Sequence, residues 1–151
     1  MDKLIIIVSV MSIAYFLIYR LLLRIMWKEH LAGQHNYALW LANLTIRLYP
    51  RPMQALVTRS ALNTNYFRNY ESAIVDCTRA IQLNKNNAHA YNNRGYAYYR
   101  LGLAEESIND LDKAVALKPD LFYAHVNRAN LLYYFMQDYE ATQAVCGMAL
   151  R

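Results

Sequence analysis

The sequence predicts an all-α chain: a solenoid of helical hairpins (an α-α superhelix) preceded by one N-terminal transmembrane helix. Three observations carry this expectation. Small and apolar residues recur every 34 positions: Ala61, Gly95 and Ala129, then Ala80 and Ala114, then Leu83 and Leu117. A period of that length marks stacked helix pairs, each burying its apolar face only against its neighbours. Helix-breaking residues fall where such hairpins need them, at Gly33, Pro50, Gly102 and Pro119. Finally, the chain opens on a charge-free apolar run, Leu4 to Tyr19.

That run is 16 residues long, against the roughly 20 that a bilayer requires. Arg20 can extend to the interface, and Arg24, Trp27 and Lys28 follow as a basic and aromatic flank. Residues 1–28 are therefore expected to be a membrane anchor. A cleaved signal peptide is disfavoured, because no small-x-small cleavage site follows the run. Arg20, Arg24 and Lys28 outweigh Lys3 on the other side of the run. The positive-inside rule then places the C-terminal repeats on the cytoplasmic (or stromal) side of a single-pass protein.

Residues 29–53 form a degenerate half repeat or a packing helix. Counting back from Pro50 puts Gly33 at an inter-helix turn and Ala38 at a small packing position, with helices over 19–32 and 35–48. No Gly or Pro interrupts residues 1–32, so the anchor can run straight into this first helix. A short linker near 29–34 is the other reading.

The clearest unit is 88–121, AHAYNNRGYAYYRLGLAEESINDLDKAVALKPDL. Small residues at Gly95 and Ser107 let two antiparallel helices approach, while Tyr91, Tyr98 and Leu111 fill the space between them. Gly102 breaks the first helix and Pro119 ends the second. This unit resembles the tetratricopeptide repeat (TPR), following its pattern of aromatic, Gly, Tyr, Ala, Leu, Ala and Pro almost position for position. Residues 54–87 form an earlier repeat that keeps Ala61, Tyr70, Ala73, Ala80 and Leu83. Residues 122–151 form a third, lacking a capping helix. Its Asn127, Arg128 and Ala129 are in register with Asn93, Arg94 and Gly95, and its second helix is shifted by one residue through a turn expected near Gln137. With no cap, parts of Val145, Met148 and Leu150 are expected to be exposed.

The net charge of +5 is unevenly spread. Arg47, Arg51, Arg59 and Arg68 lie between His30 and Tyr70 with no acid among them. Next to a membrane, such a stretch is attracted to anionic headgroups; nucleic acid is not an expected partner. Cys77 and Cys146 occupy equivalent core-facing positions and are expected to be free, buried thiols. His30, His35, His89 and His125 show no metal spacing, and Glu105, Glu106, Asp110 and Asp112 are expected to form a solvated acidic face. No nucleophile-base arrangement or phosphate loop emerges, so no enzyme activity, cofactor or metal is expected.

The resemblance implies that the first helix of each repeat lines a concave groove. On this chain its positions are Arg59, Leu62 and Asn65, then His89, Asn92, Asn93, Tyr96, Tyr99 and Arg100, then Tyr123, Asn127 and Asn130. Asparagine amides can hold a peptide backbone without reading its side chains, and tyrosines act as interface anchors. The dicarboxylate clamp by which some members hold chaperone C-termini is not expected: of its positions only Asn93 is kept, while Thr58, Leu62, Tyr123 and Asn127 occupy the rest. The expected function is a membrane-anchored protein-interaction scaffold or assembly factor, similar to N-terminally anchored TPR proteins. Its partners would be a protein or peptide, with lipids at the anchor. The alternative is a permanent accessory subunit of a membrane complex, with Ser9, Ser12, Tyr15 and Tyr19 facing neighbouring helices.

Overall fold

The computed structural model describes the backbone of residues 2–149 and the side chains of 13–134 and Gln137. Within it the chain is helical throughout, as the period requires: α1 (Asp2–Leu31), α2 (His35–Leu48), α3 (Met53–Leu62), a π-helical turn (Asn63–Phe67), α4 (Tyr70–Leu83), α5 (Ala88–Arg100), α6 (Ala104–Leu117) and α7 (Phe122–Ala149). Each helix packs mainly on those before and after it, the quasi-one-dimensional arrangement of a solenoid. Among the described residues, no helix is long and apolar enough to cross a membrane. The side chains of 4–12, on which the expected anchor largely depends, lie outside those described.

The first helix joins the repeats without a break. α1 runs unbroken to Leu31, and Gly33 turns the chain at φ +79°. Gln34 N–H donates to the Glu29 carbonyl and Gly33 N–H to that of His30, a Schellman closure that needs a left-handed residue where glycine carries no Cβ penalty. Gly102, at φ +77°, repeats the same pair of bonds, from Leu103 to Tyr98 and from Gly102 to Tyr99. Asn69 and Asn87 cap α4 and α5, accepting from Ser72 N–H and Ala90 N–H.

Between these two turns lies a third, at Arg68 (φ 52°), and it is one residue longer. Arg68 N–H and Asn69 N–H both reach back to the Asn63 carbonyl. The π turn absorbs the extra residue, as such bulges do inside α-helices. It also corrects the period. The buried columns Ala55–Ala90–Ala124 and Leu62–Ala97–Leu131 step by 35 and then 34 residues. The small packing residue equivalent to Gly95 is therefore Ser60, fully buried; Ala61 lies one position off. A Cβ at Gly95 would come within 2.9 Å of Leu111 Cγ and 3.2 Å of the Ser107 carbonyl, so the close approach of α5 and α6 depends on its absence.

The third repeat departs from expectation. No turn forms near Gln137; α7 continues through it to Ala149. Met136 stands where the 34-residue period from Gly102 would place the turning residue, and a residue with a Cβ disfavours the left-handed conformation. The next glycine is Gly147. The expected positions of Cys146, Val145, Met148 and Leu150 lie outside the described side chains.

An arginine column stitches the hairpins together. Arg59 Nε donates to Asp76 Oδ2 at 2.7 Å, and its Nη1 donates back to Asn43 Oδ1 at 2.7 Å. Arg94 repeats this, donating to Asp110 Oδ2 at 2.7 Å and to Thr78 Oγ1 at 3.0 Å. Arg128 keeps the backward arm, on Asp112. Asp76 and Asp110 are buried, so the acidic face expected on α6 is corrected: Asp110 is an internal counter-ion and Asp112 an exposed partner of Arg128. Cys77 is a free core thiol; burial pushes its pKa up to about 12.

Candidate functional site: a neutral asparagine groove

The concave side of α3, α5 and α7 forms an open groove of about 790 Å³. The 35-then-34 step arranges its floor in three rows: Gln54, His89 and Tyr123; Thr58, Asn93 and Asn127; Ala61, Tyr96 and Asn130. Val57 stands beside Asn92 in the same way, and Thr64, Asn65 and Tyr66 close one end from the π turn. Among the described residues no lysine, arginine, aspartate or glutamate lines it. The described lining is rich in hydrogen-bonding groups.

Of the sequence-predicted groove residues, the structure brings together Asn65, His89, Asn92, Asn93, Tyr96, Tyr123, Asn127 and Asn130. Four others stand elsewhere. The Arg59 guanidinium is committed to Asp76 and Asn43. Arg100 donates to the Tyr96 hydroxyl at 3.0 Å and lies over the Tyr70 ring. Tyr99 packs between Tyr96 and Tyr134, with ring centroids at 6.3 and 6.0 Å. Arg100 and Tyr99 thus brace Tyr96 from behind. Leu62 is fully buried in the core. The error at Arg59 and Leu62 is the single residue in the π turn: stepping back 34 from Asn93 and Tyr96 lands on them, whereas the spatial equivalents are Thr58 and Ala61.

The asparagines are not independent. Asn127 Nδ2 donates to Asn92 Oδ1 at 3.0 Å, and Asn92 Nδ2 donates to Asn93 Oδ1 at 3.2 Å. Asn93 Nδ2 donates to the Val57 carbonyl at 3.3 Å and to Ser60 Oγ at 3.1 Å. The relay crosses three helices and uses both Asn93 amide protons. Asn93 is therefore a positioning residue; Asn92 is buried, and Asn127 is half-buried at the groove wall.

A cluster missed from sequence closes the N-terminal end. His35 stacks on Tyr66 with ring centroids 3.5 Å apart, and His30 sits 5.4 Å from His35 and 5.5 Å from Trp27. Trp27, expected at a membrane interface, here lines the groove with His30. The only available signal was the aromatic and histidine enrichment around the Gly33 turn. Burial, and then His35, holds His30 below its usual pKa; burial, and then Lys118, does the same for His89. Among the described residues no group of three or more His, Cys, Asp or Glu is placed to hold a metal ion. The remaining interface residues, Arg20, Arg24 and Lys28, are exposed on α1.

Family models agree with this geometry. One described as TPR repeat matches residues 69–102, and one described as tetratricopeptide repeat matches 88–121. The chain carries tetratricopeptide repeats. Its TPR region is 32% identical over 71 residues to Hsp70-Hsp90 organizing protein 3 of Arabidopsis thaliana, covering 47% of this chain and 12% of that protein. The chain thus spans about 12% of the length of the curated relatives it matches. Among solved structures, the first TPR of Spaghetti (RPAP3) bound to HSP90 peptide SRMEEVD has a TM-score of 0.72 at 21% identity, covering 78% of this chain and 93% of that one. The Arabidopsis OM64 TPR domain has a TM-score of 0.71 at 24% identity, covering 77% and 95%. At these identities the likeness establishes the fold.

Proposed function

We propose that the chain is a protein-interaction scaffold whose TPR groove captures an extended segment of a partner protein and holds it at a membrane, with the repeats on the cytoplasmic or stromal side. One observation carries the binding reading: a concave surface with no Lys, Arg, Asp or Glu among its described lining residues, on which half-buried Tyr96 and Asn127 stand with exposed Tyr123 and Asn130. Such groups satisfy a peptide backbone, and a braced aromatic supplies rigid apolar area. The solved RPAP3 domain bound to an HSP90 peptide supports a peptide as the ligand class. The carboxylate clamp does not carry over. Counted across the π turn, its first-repeat positions fall on Val57 and Ala61, and Asn93, Tyr123 and Asn127 complete the set without a cation. The groove therefore reads backbone and shape more than a terminal carboxylate. The reading assigns binding without turnover.

Peptide binding followed by fluorescence polarisation tests it, with SRMEEVD and its C-terminally amidated form as first probes and neutral extended peptides as the second set. Neutral peptides are expected to bind, and amidation is expected to leave affinity within about twofold, since a lost carboxylate clamp would cost far more. Tyr96→Ala is expected to weaken capture about tenfold or more, while Phe122→Ala, outside the groove, leaves it unchanged. Equal binding by wild type and Tyr96→Ala would place the site elsewhere.

The membrane part rests on the apolar run of α1 and its basic flank. The alternative, a permanent accessory subunit, loses part of its contact set: Tyr15 and Tyr19 are packed on Tyr49, with ring centroids at 4.5 and 4.6 Å.

A further inference from the structure

We infer that α1 enters a bilayer from one side, as an interfacial helix seated in a single leaflet of anionic lipid, so that both of its ends face the same compartment. The inference rests on the membrane reading above and specifies its depth. The hairpin sets the limit. Tyr15 Oη donates to the Leu48 carbonyl at 3.2 Å, and Tyr49 Oη donates to the Tyr15 carbonyl at 3.4 Å. From Tyr15 onward, α1 is tied to the end of α2. Asp2 and Lys3 bound the apolar run on the other side, so the part of the run ahead of that tie is Leu4 to Ala14. At about 1.5 Å per residue that stretch reaches about 16 Å, roughly half the 30 Å hydrocarbon thickness. Burying the whole run would drag the polar end of α2 into lipid.

What α1 presents from Ile13 onward suits the interface. Ile13, Phe16, Leu17 and Leu21 are each more than half exposed, and they recur at the three- and four-residue steps of one helix face. Arg20 and Arg24 sit in that same stripe and share a shallow hollow with Leu17 and Leu21. Arg20 folds over the Phe16 ring at 5.7 Å. Arg47 and Arg51, both exposed, flank Leu48 and Tyr49 where the hairpin meets the tied end of α1. An apolar stripe interleaved with arginines, with the nearest acids absent from His30 to Tyr70, is complementary to anionic headgroups over acyl chains.

The test uses the full chain with an epitope tag at each end, added to sealed phosphatidylcholine vesicles with or without phosphatidylserine. Flotation is expected with the anionic vesicles, and externally added protease is expected to remove both tags. Arg20→Glu with Arg24→Glu is expected to reduce flotation about tenfold or more, with circular dichroism unchanged. An N-terminal tag protected inside vesicles that float would overturn the one-leaflet inference and leave a spanning anchor. Flotation insensitive to both phosphatidylserine and the glutamate pair would remove the anionic-lipid assignment. Failure to float with either lipid would overturn the membrane reading itself.

Discussion

The hairpins α1–α2 and α5–α6 turn through the same closure, at Gly33 and Gly102, yet different chemistry holds their helices together. α5–α6 is locked by polar groups: the Arg94–Asp110 fork, the Ser107 hydroxyl donating to the Gly95 carbonyl at 2.8 Å, and the asparagine relay above it. α1–α2 packs through Met26, Ala38, Leu41 and Ala42 at one end and tilted tyrosine pairs at the other. Neither helix contributes a member of the arginine column except Asn43, which accepts from Arg59. Buried, satisfied ion pairs specify one arrangement, whereas apolar and aromatic contacts tolerate small shifts. The central hairpins therefore fix the groove, and the first hairpin is an adaptable attachment to it.

The sharpest way to break this contrast is Asp110→Ala, which leaves the half-buried Arg94 guanidinium without its counter-ion. A loss of about 3 kcal/mol is expected by denaturant unfolding, with the groove disordered as a unit. Tyr49→Ala should cost less, about 2 kcal/mol, and hydrogen exchange should show the loss confined to α1 and α2. If both variants melt the chain uniformly, the two regions are one cooperative block and the contrast fails.

Smaller changes refine it. Arg68→Gly relieves a left-handed residue at the π turn and should raise stability by about 1 kcal/mol or less; a decrease would mean the arginine side chain itself is needed there. Arg128→Ala, at an exposed ion pair, should change stability by under about 1 kcal/mol, against the much larger effect at Asp110. The smallest expected effect is in pH. His30 and His89 are held below their ordinary value of 6.5, so the unfolded chain binds their protons more readily. Their contribution is complete above that value and is lost as pH falls through it toward the folded pKa. Melting between pH 7 and 5 should fall more steeply in wild type than in His30→Gln; parallel curves would show His30 to be uninvolved.

Much of this architecture was legible in the letters. Gly33 and Gly102 announce their turns because few other residues tolerate positive φ, and the boundaries of α2 follow from Pro50 and Gly33. Eight groove residues were also readable, since the repeat places first-helix positions on the concave side. Arg59 and Leu62 were misplaced because the π turn carries no sequence signal of its own: the αL position that glycine usually marks is held by Arg68. Asp110 was misread because an acid within an otherwise charged helix looks solvated until its partner, 16 residues away, is brought over it. The turn near Gln137 was expected from a shifted match alone, with no glycine or proline to enforce it.

The widened turn at Asn63–Phe67 has a consequence for anyone recombining these hairpins. Upstream of it every column is numbered in one frame, and downstream in another, although the columns align in space. A cassette spliced before Asn63 and one spliced after Arg68 carry different offsets, so exchanging them with a uniform 34-residue module would rotate Thr58 and Ala61 away from their partners. The splice point, more than the identity of the inserted hairpin, would decide whether the chimera still has a continuous floor.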